Sequence, residues 1–161
     1  MRRVAPRGVR GSGKTSTRIG LAASAPSRTF FDTNVIVYAF DFRDRAKQER
    51  AADLLIDLAG SIVISSQVLG EFYWTVTRKL SSPLTEEEAR SAVARLSSLT
   101  VTPIDKEVVR TAIELAESAS IAYWDALIVK AAAIAGCSRL LTEDLNHGQV
   151  IDGVLVENPF R

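Results

Sequence analysis

The sequence predicts an α/β fold, a three-layer α/β/α sandwich in which helices cover both faces of a mostly parallel central sheet. Short runs rich in β-branched and aromatic residues alternate with longer segments of helical periodicity, and this alternation is typical of βαβ units. The run Ile62-Val63-Ile64 is apolar throughout, as in strands buried on both faces. With 161 residues, 47% of them hydrophobic, the chain can bury one domain core of ordinary size.

The folded part begins with a β-prone run from Thr29 to Phe31 that ends at Asp32. After a polar turn, residues 35–40 fit either a brief helix or an extended segment. Residues 44–59 carry leucine and alanine at helical spacing, and Gly60 is a natural stop for that helix.

The middle of the chain predicts a second strand and two helices. Residues 61–65 hold the buried strand, and one of two adjacent serines, at 65 or 66, can cap a helix that runs to about Lys79. Thr85 and Glu88 form a capping box that opens a helix ending near Leu99.

The last third predicts two more helices and three short strands. Residues 105–119 have one apolar face, whereas residues 122–135 are apolar nearly all round and are therefore expected to be deeply buried. The strand candidates are residues 101–102, 139–142 and 154–157.

Composition excludes several classes of protein. One cysteine and one histidine rule out an intramolecular disulfide and a Cys/His zinc site. The longest apolar run, residues 121–137, is interrupted by Asp125 and Lys130 and is shorter than the ~20 residues that span a bilayer. We therefore expect no membrane anchor and a cytoplasmic location.

Charge divides the chain into two parts. Residues 1–28 carry seven basic side chains and no acid, whereas residues 29–161 carry 13 basic and 19 acidic side chains, a net charge of −6. We predict a basic extension without a fold of its own at 1–28 and a folded domain at 29–161. A nucleic-acid-binding arm, an organelle transit peptide and a start-site artefact remain alternatives for the extension.

The basic extension contains a phosphate-loop pattern. Gly8, Gly13, Lys14 and Thr15 match G-x-x-x-x-G-K-[ST], in which backbone amides cradle phosphates. A working loop joins a buried strand to a helix, but the preceding residues 1–7 hold three arginines and a proline. The interpretation is a chance match, and no nucleotide-binding residue is predicted.

Four carboxylates form the candidate site. Asp32 directly follows the first predicted strand and Asp144 follows the predicted strand at 139–142, and ligands of open α/β sheets bind outside the carboxyl ends of the strands. Glu71 lies at the margin of the buried arc of its helix, and Asp125 lies in an apolar helix where an unpaired charge is costly. Carboxylates without an obvious cationic partner indicate an oxygen-ligand site for Mg²⁺ or Mn²⁺.

Each acid also has a purely structural alternative. The alternatives are an Asx turn to Asn34 for Asp32, a loop cap at 145–148 for Asp144, an ion pair with Arg78 or Lys79 for Glu71, and an ion pair with Lys130 or an arginine for Asp125.

Four separated motifs carry a resemblance to a known family. They are Phe31-Asp32-Thr33-Asn34-Val35, Glu71 after Ser65-Ser66-Gln67-Val68, Tyr123-Trp124-Asp125-Ala126-Leu127-Ile128 and Leu141-Thr142-Glu143-Asp144. In this order they resemble the PIN-domain family, and specifically its VapC-like toxin ribonucleases. The resemblance covers about residues 29–161, and residues 1–28 have no counterpart in the family pattern.

The resemblance implies a metal-dependent endoribonuclease, the toxin of a type II toxin-antitoxin pair, silenced by a cognate antitoxin and often a homodimer. Asp32, Glu71, Asp125 and Asp144 would be the catalytic and metal-binding acids, with Glu143 an alternative to Asp144. Asn34 and Thr142 would orient them. The cofactor would be Mg²⁺ or Mn²⁺ and the substrate RNA. Other readings of the chain are a non-catalytic interaction module with this fold, or a nucleotide-binding protein that uses Lys14 and Thr15.

Several other residues have expected roles. Because the folded part is acidic, RNA must meet a local basic stripe, whose candidates are Arg43, Arg45, Lys47, Arg78, Lys79 and Arg139. His147 is expected to make a loop hydrogen bond, and Cys137 to be a small buried hydrophobe. Trp74 and Trp124 are expected to pack in the core or in an interface rather than to stack an RNA base.

Overall fold

A six-stranded sheet forms the centre of the described region, residues 27–161 of a computed structural model. The strands are β1 (Thr29–Phe31), β2 (Ile62–Ser65), β3 (Thr100–Thr102), β4 (Arg139–Leu141), β5 (Val150–Ile151) and β6 (Val154–Glu157). The helices are α1 (Thr33–Tyr38), α2 (Arg45–Asp57), α3 (Ser66–Arg78), α4 (Glu86–Leu96), α5 (Lys106–Ala119) and α6 (Tyr123–Ile134).

The strand order is β3-β2-β1-β4-β6-β5, and every neighbouring pair is parallel except β5 with β6. The prediction of a mostly parallel sheet between helical layers is therefore confirmed. The order places β1 at the centre, beside β2 and β4, so the ends of these three strands meet at one edge.

The edge strand β5 was not predicted. It has only two residues, too few to show an alternating pattern, and it pairs antiparallel with β6. Asp152 and Gly153 between the two strands both have positive φ, 50° and 79°. Two such residues form the tight turn that favours a β-hairpin, and the Asp-Gly dipeptide was the signal for it.

Polar caps explain where the helices begin. Asp32, Asp44, Ser65 and Asp105 each accept a hydrogen bond from a backbone N–H in the first turn of the following helix. The predicted capping box of Thr85 is present in α4, although that helix ends three residues earlier than expected, at Leu96. Residues 33–38 form α1, which settles the open alternative for this segment in favour of a helix.

The core lies on both faces of the sheet. Phe30, Phe31 and Ile64 are fully buried, so consecutive residues of β1 face opposite helical layers. Helix α6 packs its middle, residues 126–129, against the sheet and α5. It is not buried all round as predicted: Trp124, near its start, is 63% exposed, because one side of the helix faces solvent.

The basic extension lies outside the described residues, apart from its last two, as does the phosphate-loop match at 8–15. The boundary drawn between 28 and 29 stays a prediction. Arg28 nevertheless contacts the fold: its guanidinium donates to the carbonyl of Ala135, and its own carbonyl accepts from the N–H of Ser138. Between residues 27 and 161, no helix is long and apolar enough to cross a membrane.

Candidate functional site

Asp32 lies at the carboxyl end of the central strand β1, where the backbone turns into α1. Its extended backbone ends the strand, and its Oδ1 accepts the N–H of Thr33 at 2.6 Å as the N-cap of α1. Its Oδ2 accepts the hydroxyl of Thr142 at 2.7 Å and the amide of Asn34 at 2.9 Å. The carboxylate is thus buried and held by three donors, none of them a cation.

The pKa of Asp32 is raised to about 7, mainly by burial. The hydrogen bonds from Thr142 and Thr33 lower this pKa, and the charges of Asp144 and Glu71 raise it further. A carboxylate that accepts three hydrogen bonds and still has a raised pKa lacks a positive partner. A cation at this position would relieve that electrostatic cost.

Asn34 joins two of the acids. Its Nδ2 donates to Oδ2 of Asp144 at 2.8 Å as well as to Asp32, and it lies 3.2 Å from the hydroxyl of Thr142. Its Oδ1 is buried and has no hydrogen-bond partner among residues 27–161. A buried acceptor without a donor is costly, so a donor belonging to a bound molecule fits here.

Glu71 is on α3, and it faces α1. Its Oε2 accepts the hydroxyl of Thr33 at 2.7 Å, and its Oε1 accepts the amide of Gln67 one turn earlier at 2.8 Å. The alternative of an ion pair with Arg78 or Lys79 is wrong. Gln67, which sequence reasoning did not select, holds Glu71 through the i, i+4 spacing of α3.

Asp125 lies in the first turn of α6, at the rim of the sheet rather than deep inside the fold. Its side chain is half-buried, which corrects the expectation of a carboxylate enclosed by apolar residues. Burial is the main cause that raises its pKa, followed by the charges of Asp144 and Glu71. The structural alternative of an ion pair with Lys130 is wrong, because Lys130 pairs with Asp152 at 2.8 Å.

Glu143 and Asp144 point to different places. Glu143 forms an ion pair with Lys47 at 2.6 Å and accepts the hydroxyl of Tyr38 on its other oxygen. Asp144 faces Asn34 and acts electrostatically on both Asp32 and Asp125. Of the two, Asp144 is therefore the acid that joins the cluster.

The cluster fits a divalent cation by its chemistry. None of the ion pairs within residues 27–161 involves one of the four acids, Asp32, Glu71, Asp125 and Asp144. Carboxylate and amide oxygens are the donors that Mg²⁺ and Mn²⁺ prefer. Within residues 27–161, no three His, Cys, Asp or Glu side chains already converge at ligand distances.

A cavity of about 390 Å³ opens beside the acids. It is lined by Asp32, Thr33, Asn34, Val37, Tyr38, Asp41, Arg43, Glu71, Thr75, Lys79, Leu80 and Asp144. Three acids of the cluster thus share one cavity, and Asp125 lines an adjoining one together with Asp144. The cavity also holds Asp41, a buried acid that the sequence did not flag.

Most of the predicted basic stripe is engaged in ion pairs. Arg43 pairs with Asp41, Arg45 with Glu49, Lys47 with Glu143 and Arg139 with Glu157. Arg78 lies over the ring of Trp74, at 5.6 Å. Only Arg43 and Lys79 of the six line the cavity that holds the acids.

The remaining predicted residues have mostly structural positions. His147 accepts the N–H of Asn158 on Nδ1 at 3.1 Å, the expected loop hydrogen bond. Cys137 is buried as predicted, and burial raises the pKa of its thiol to about 11. Trp74 and Trp124 are both exposed, so of the two expected positions the core is wrong for them, and the interface stays a prediction.

The PIN-domain family model matches residues 29–151, which include strands β1 to β5 and all four acids. The chain belongs to the PIN-domain family. Among curated protein sequences none matches this PIN domain. The family match begins at the first strand, β1, and spans Asp32, Glu71, Asp125 and Asp144 in the order expected.

Solved structures show the same fold. VapC20 of Mycobacterium tuberculosis, a sarcin-ricin loop cleaving toxin, has a TM-score of 0.57 and 19% identity, over 70% of this chain and 86% of VapC20. A toxin-antitoxin complex from Klebsiella pneumoniae has a TM-score of 0.61 and 21% identity, over 81% of this chain and 97% of the matched chain. VapBC2 from Rickettsia felis, bound to a DNA fragment from its promoter, has a TM-score of 0.57 and 25% identity, over 81% of this chain and 97% of the matched chain. The fold of this PIN domain is therefore that of VapC toxins.

Proposed function

We propose that this PIN domain is a metal-dependent endoribonuclease that hydrolyses RNA phosphodiesters, and that it is the toxin of a type II toxin-antitoxin pair. One observation carries the proposal: Asp32, Glu71, Asp125 and Asp144 come from four different elements to one edge of the sheet, where no cation of the described fold pairs with them. Family membership and the VapC-like fold support it.

The four acids would hold Mg²⁺, or Mn²⁺ in its place. When bound, such an ion neutralises phosphate charge and lowers the pKa of water. The pKa values of Asp32 and Asp125 are raised, mainly by burial and further by the charges of Asp144 and Glu71, and a bound cation would favour the ionised form of both carboxylates.

Neutral side chains do the positioning in this proposal. Thr142 and the backbone N–H of Thr33 donate to Asp32 and oppose the effect of burial on its pKa, so they favour its ionised form, and Asn34 donates to the same carboxylate. The free Oδ1 of Asn34 would accept a hydrogen bond from the attacking water or from the substrate, and so orient it. Thr33 holds Glu71 in place from α1.

The partners follow from the neighbours. The Klebsiella, Rickettsia and Salmonella typhimurium structures are toxin-antitoxin or VapBC complexes. We propose a cognate antitoxin for this chain on that basis, together with a homodimer and a cytoplasmic location, both implied by the family.

The test is cleavage of total RNA by purified full-length protein with Mg²⁺, with Mn²⁺ and with a chelator, read by sequencing the new ends. We expect cleavage with either metal and none with chelator. Asp32→Asn should abolish cleavage without unfolding the domain, whereas Asp57→Asn, an exposed acid at the end of α2, should keep it. Full activity of Asp32→Asn would refute the site, and folded but inactive wild-type protein would favour an interaction module.

A deletion separates the domain from the extension. Removing residues 1–26 keeps the contacts of Arg28 with the fold, and we expect RNA cleavage to survive. A nucleotide-dependent activity that disappeared with these residues would instead support the phosphate-loop reading.

A further inference from the structure

The cavity beside the acids is a groove between α1 and α3, and its far end is basic. The groove residues recur at four-residue intervals on both sides: Thr33, Val37 and Asp41 on the α1 side, and Glu71, Thr75 and Lys79 on the α3 side. Thr33 bonds to Glu71 at the acidic end, and Phe40 packs on Phe72 at 5.1 Å. Thr33 and Glu71, the first residues of the two series, meet at the acidic end, and Asp41 and Lys79 are the last residues of the two series.

Arg43 is fixed in place by a buried acid. Its Nε lies 3.0 Å from both oxygens of Asp41, and its Nη2 lies 2.6 Å from Oδ2. The side chain of Asp41 is 5% exposed, whereas that of Arg43 is 60% exposed. Asp41 therefore occupies one edge of the guanidinium fork, and the other edge, with Nη1, makes no hydrogen bond within residues 27–161.

Lys79 is the second cation of the groove. It is the C-cap of α3, it is exposed, and it forms no ion pair with the described residues. It lies eight residues after Glu71, which corresponds to about 12 Å along the helix axis. The acidic and basic ends of the groove are thus separated by a length that an extended RNA strand covers within a few nucleotides.

We propose, on the basis of the proposed function, that Arg43 and Lys79 form a subsite for RNA backbone phosphates adjacent to the phosphodiester that is cleaved. A guanidinium held along one edge offers parallel N–H donors to a phosphate, and the ammonium adds a second positive charge. Asp41 is the positioning residue, because it orients the guanidinium before RNA arrives. A single strand fits the arrangement, since the contacts are to the backbone in a groove between helices.

The charges of the groove also decide which end of it the RNA backbone contacts when no metal is bound. Asp32, Glu71 and Asp144 repel phosphates at one end, and Arg43 and Lys79 attract them at the other. In the presence of a chelator, RNA should therefore contact only the basic end. Binding under these conditions reports the subsite without any contribution from cleavage.

The experiment measures the affinity of full-length protein for a single-stranded RNA oligonucleotide in chelator, over a series of NaCl concentrations. Each phosphate contact contributes about 0.7 to the slope of log affinity against log salt. We expect Arg43→Gln and Lys79→Gln each to weaken binding several-fold and to reduce the slope by about 0.7, and the double variant by about 1.4. Arg110→Gln is the matched control, because Arg110 has 59% side-chain exposure, is ion-paired like Arg43 and lies on α5 outside the groove.

Two further variants test the role of Asp41. Arg43→Lys keeps the charge without the fork and should keep the slope while weakening binding. Asp41→Asn should weaken binding in the wild-type background but have no further effect in Arg43→Gln. If Arg43→Gln fails to fold, Lys79→Gln, on an exposed helix end, carries the test.

The outcomes separate this proposal from the nuclease proposal. Unchanged slopes in the folded Arg43→Gln and Lys79→Gln variants overturn the subsite, even if the wild-type protein cleaves RNA with Mg²⁺. Reduced slopes in the variants, together with a folded wild-type protein that cleaves no RNA with Mg²⁺ or Mn²⁺, support the subsite and refute the nuclease.

Discussion

The side-chain amide of Asn34 donates to the carboxylate of Asp144, 110 residues later in the chain, at 2.8 Å. The same nitrogen donates to Asp32 at 2.9 Å, so one neutral group holds two acids that would otherwise repel each other. The site is thus tied across the sheet from α1 to the loop after β4. This contact predicts that Asn34 affects both the stability of the fold and the arrangement of the acids.

Asn34→Ala should lower the free energy of unfolding by about 1–3 kcal/mol, because the buried Oδ2 of Asp32 loses one of its two donors and Asp144 loses its link to α1. RNA cleavage should also fall, since Asp32 and Asp144 would no longer be held together. Urea unfolding and the cleavage assay measure the two effects. Asn146→Ala, which removes only a long 3.4 Å contact with Gln149 in an exposed loop, is the control. Equal stability of the two variants would contradict the role of Asn34.

Asp32 predicts an unusual pH dependence of stability. Its folded pKa of about 7 lies above the ordinary value of 3.8, so between these two pH values the folded state binds more protons than the unfolded state. Stability conferred by this group is therefore present at low pH and is lost as the pH rises toward 7. The upper bound of the effect is on the order of 4 kcal/mol.

Asp32→Asn removes this dependence. In chelator, we expect the variant to be more stable than wild type at pH 8 and to have nearly equal stability at pH 4. Urea unfolding of both proteins at both pH values gives the difference in their free energy of unfolding. The effects of the other titrating groups are the same in both proteins and cancel in this difference. If the variant were less stable than wild type at pH 8, the hydrogen bonds of the fold would offset the cost of burying the ionised carboxylate without a metal, and the prediction would be wrong.

The ion pair of Lys47 with Glu143 fixes the loop that carries Asp144. Both side chains are less than one-third exposed, and the ammonium also lies 4.3 Å from the ring centroid of Tyr38. Lys47→Met leaves a partly buried carboxylate without its cation and should destabilise the fold by about 1–3 kcal/mol. Lys47→Arg keeps the charge and should recover much of the loss. Thermal unfolding of wild type and the two variants measures the effect. If the ion pair contributed nothing to stability, all three proteins would unfold at the same temperature.

The positions of two of the acids could be predicted from the sequence, because the residue types indicate where the strands before them end. Asp32 follows the β-prone residues of β1, and Asp144 follows β4, so parallel pairing brings them to one edge. Helical periodicity placed Glu71 toward the protein, and the contact with Thr33 agrees with that orientation.

Other features depend on packing that no local pattern contains. The partial exposure of Asp125 follows from where α6 begins relative to the sheet, and the exposure of Trp124 from which side of α6 faces solvent. The choice between Glu143 and Asp144 was open in the sequence, because it depends on Lys47 and Tyr38, about 100 residues earlier. Asp41 was not identified from the sequence as part of the cavity, although its spacing of two residues from Arg43 was a local signal of their ion pair.

Ser120 ends α5 in the left-handed region, with φ of 53°. Only glycine adopts this conformation without steric cost, so Ser120→Gly should raise the free energy of unfolding by about 0.5–1 kcal/mol. Ser120→Ala keeps the Cβ and should give no such gain. Urea unfolding of the three proteins measures the effect, and a destabilised glycine variant would show that the serine side chain contributes more than its strain costs.

The central claim is that Asp32, Glu71, Asp125 and Asp144 together hold one divalent-cation site. The most direct test is titration of the apoprotein with Mn²⁺, followed by electron paramagnetic resonance of the free ion, for wild type, Asp32→Asn, Asp144→Asn and Glu143→Gln. We predict that wild type and Glu143→Gln bind Mn²⁺ and that Asp32→Asn and Asp144→Asn bind it at least tenfold more weakly, about 1.4 kcal/mol or more. Equal affinity of Asp32→Asn and wild type, or a loss confined to Glu143→Gln, would contradict the account.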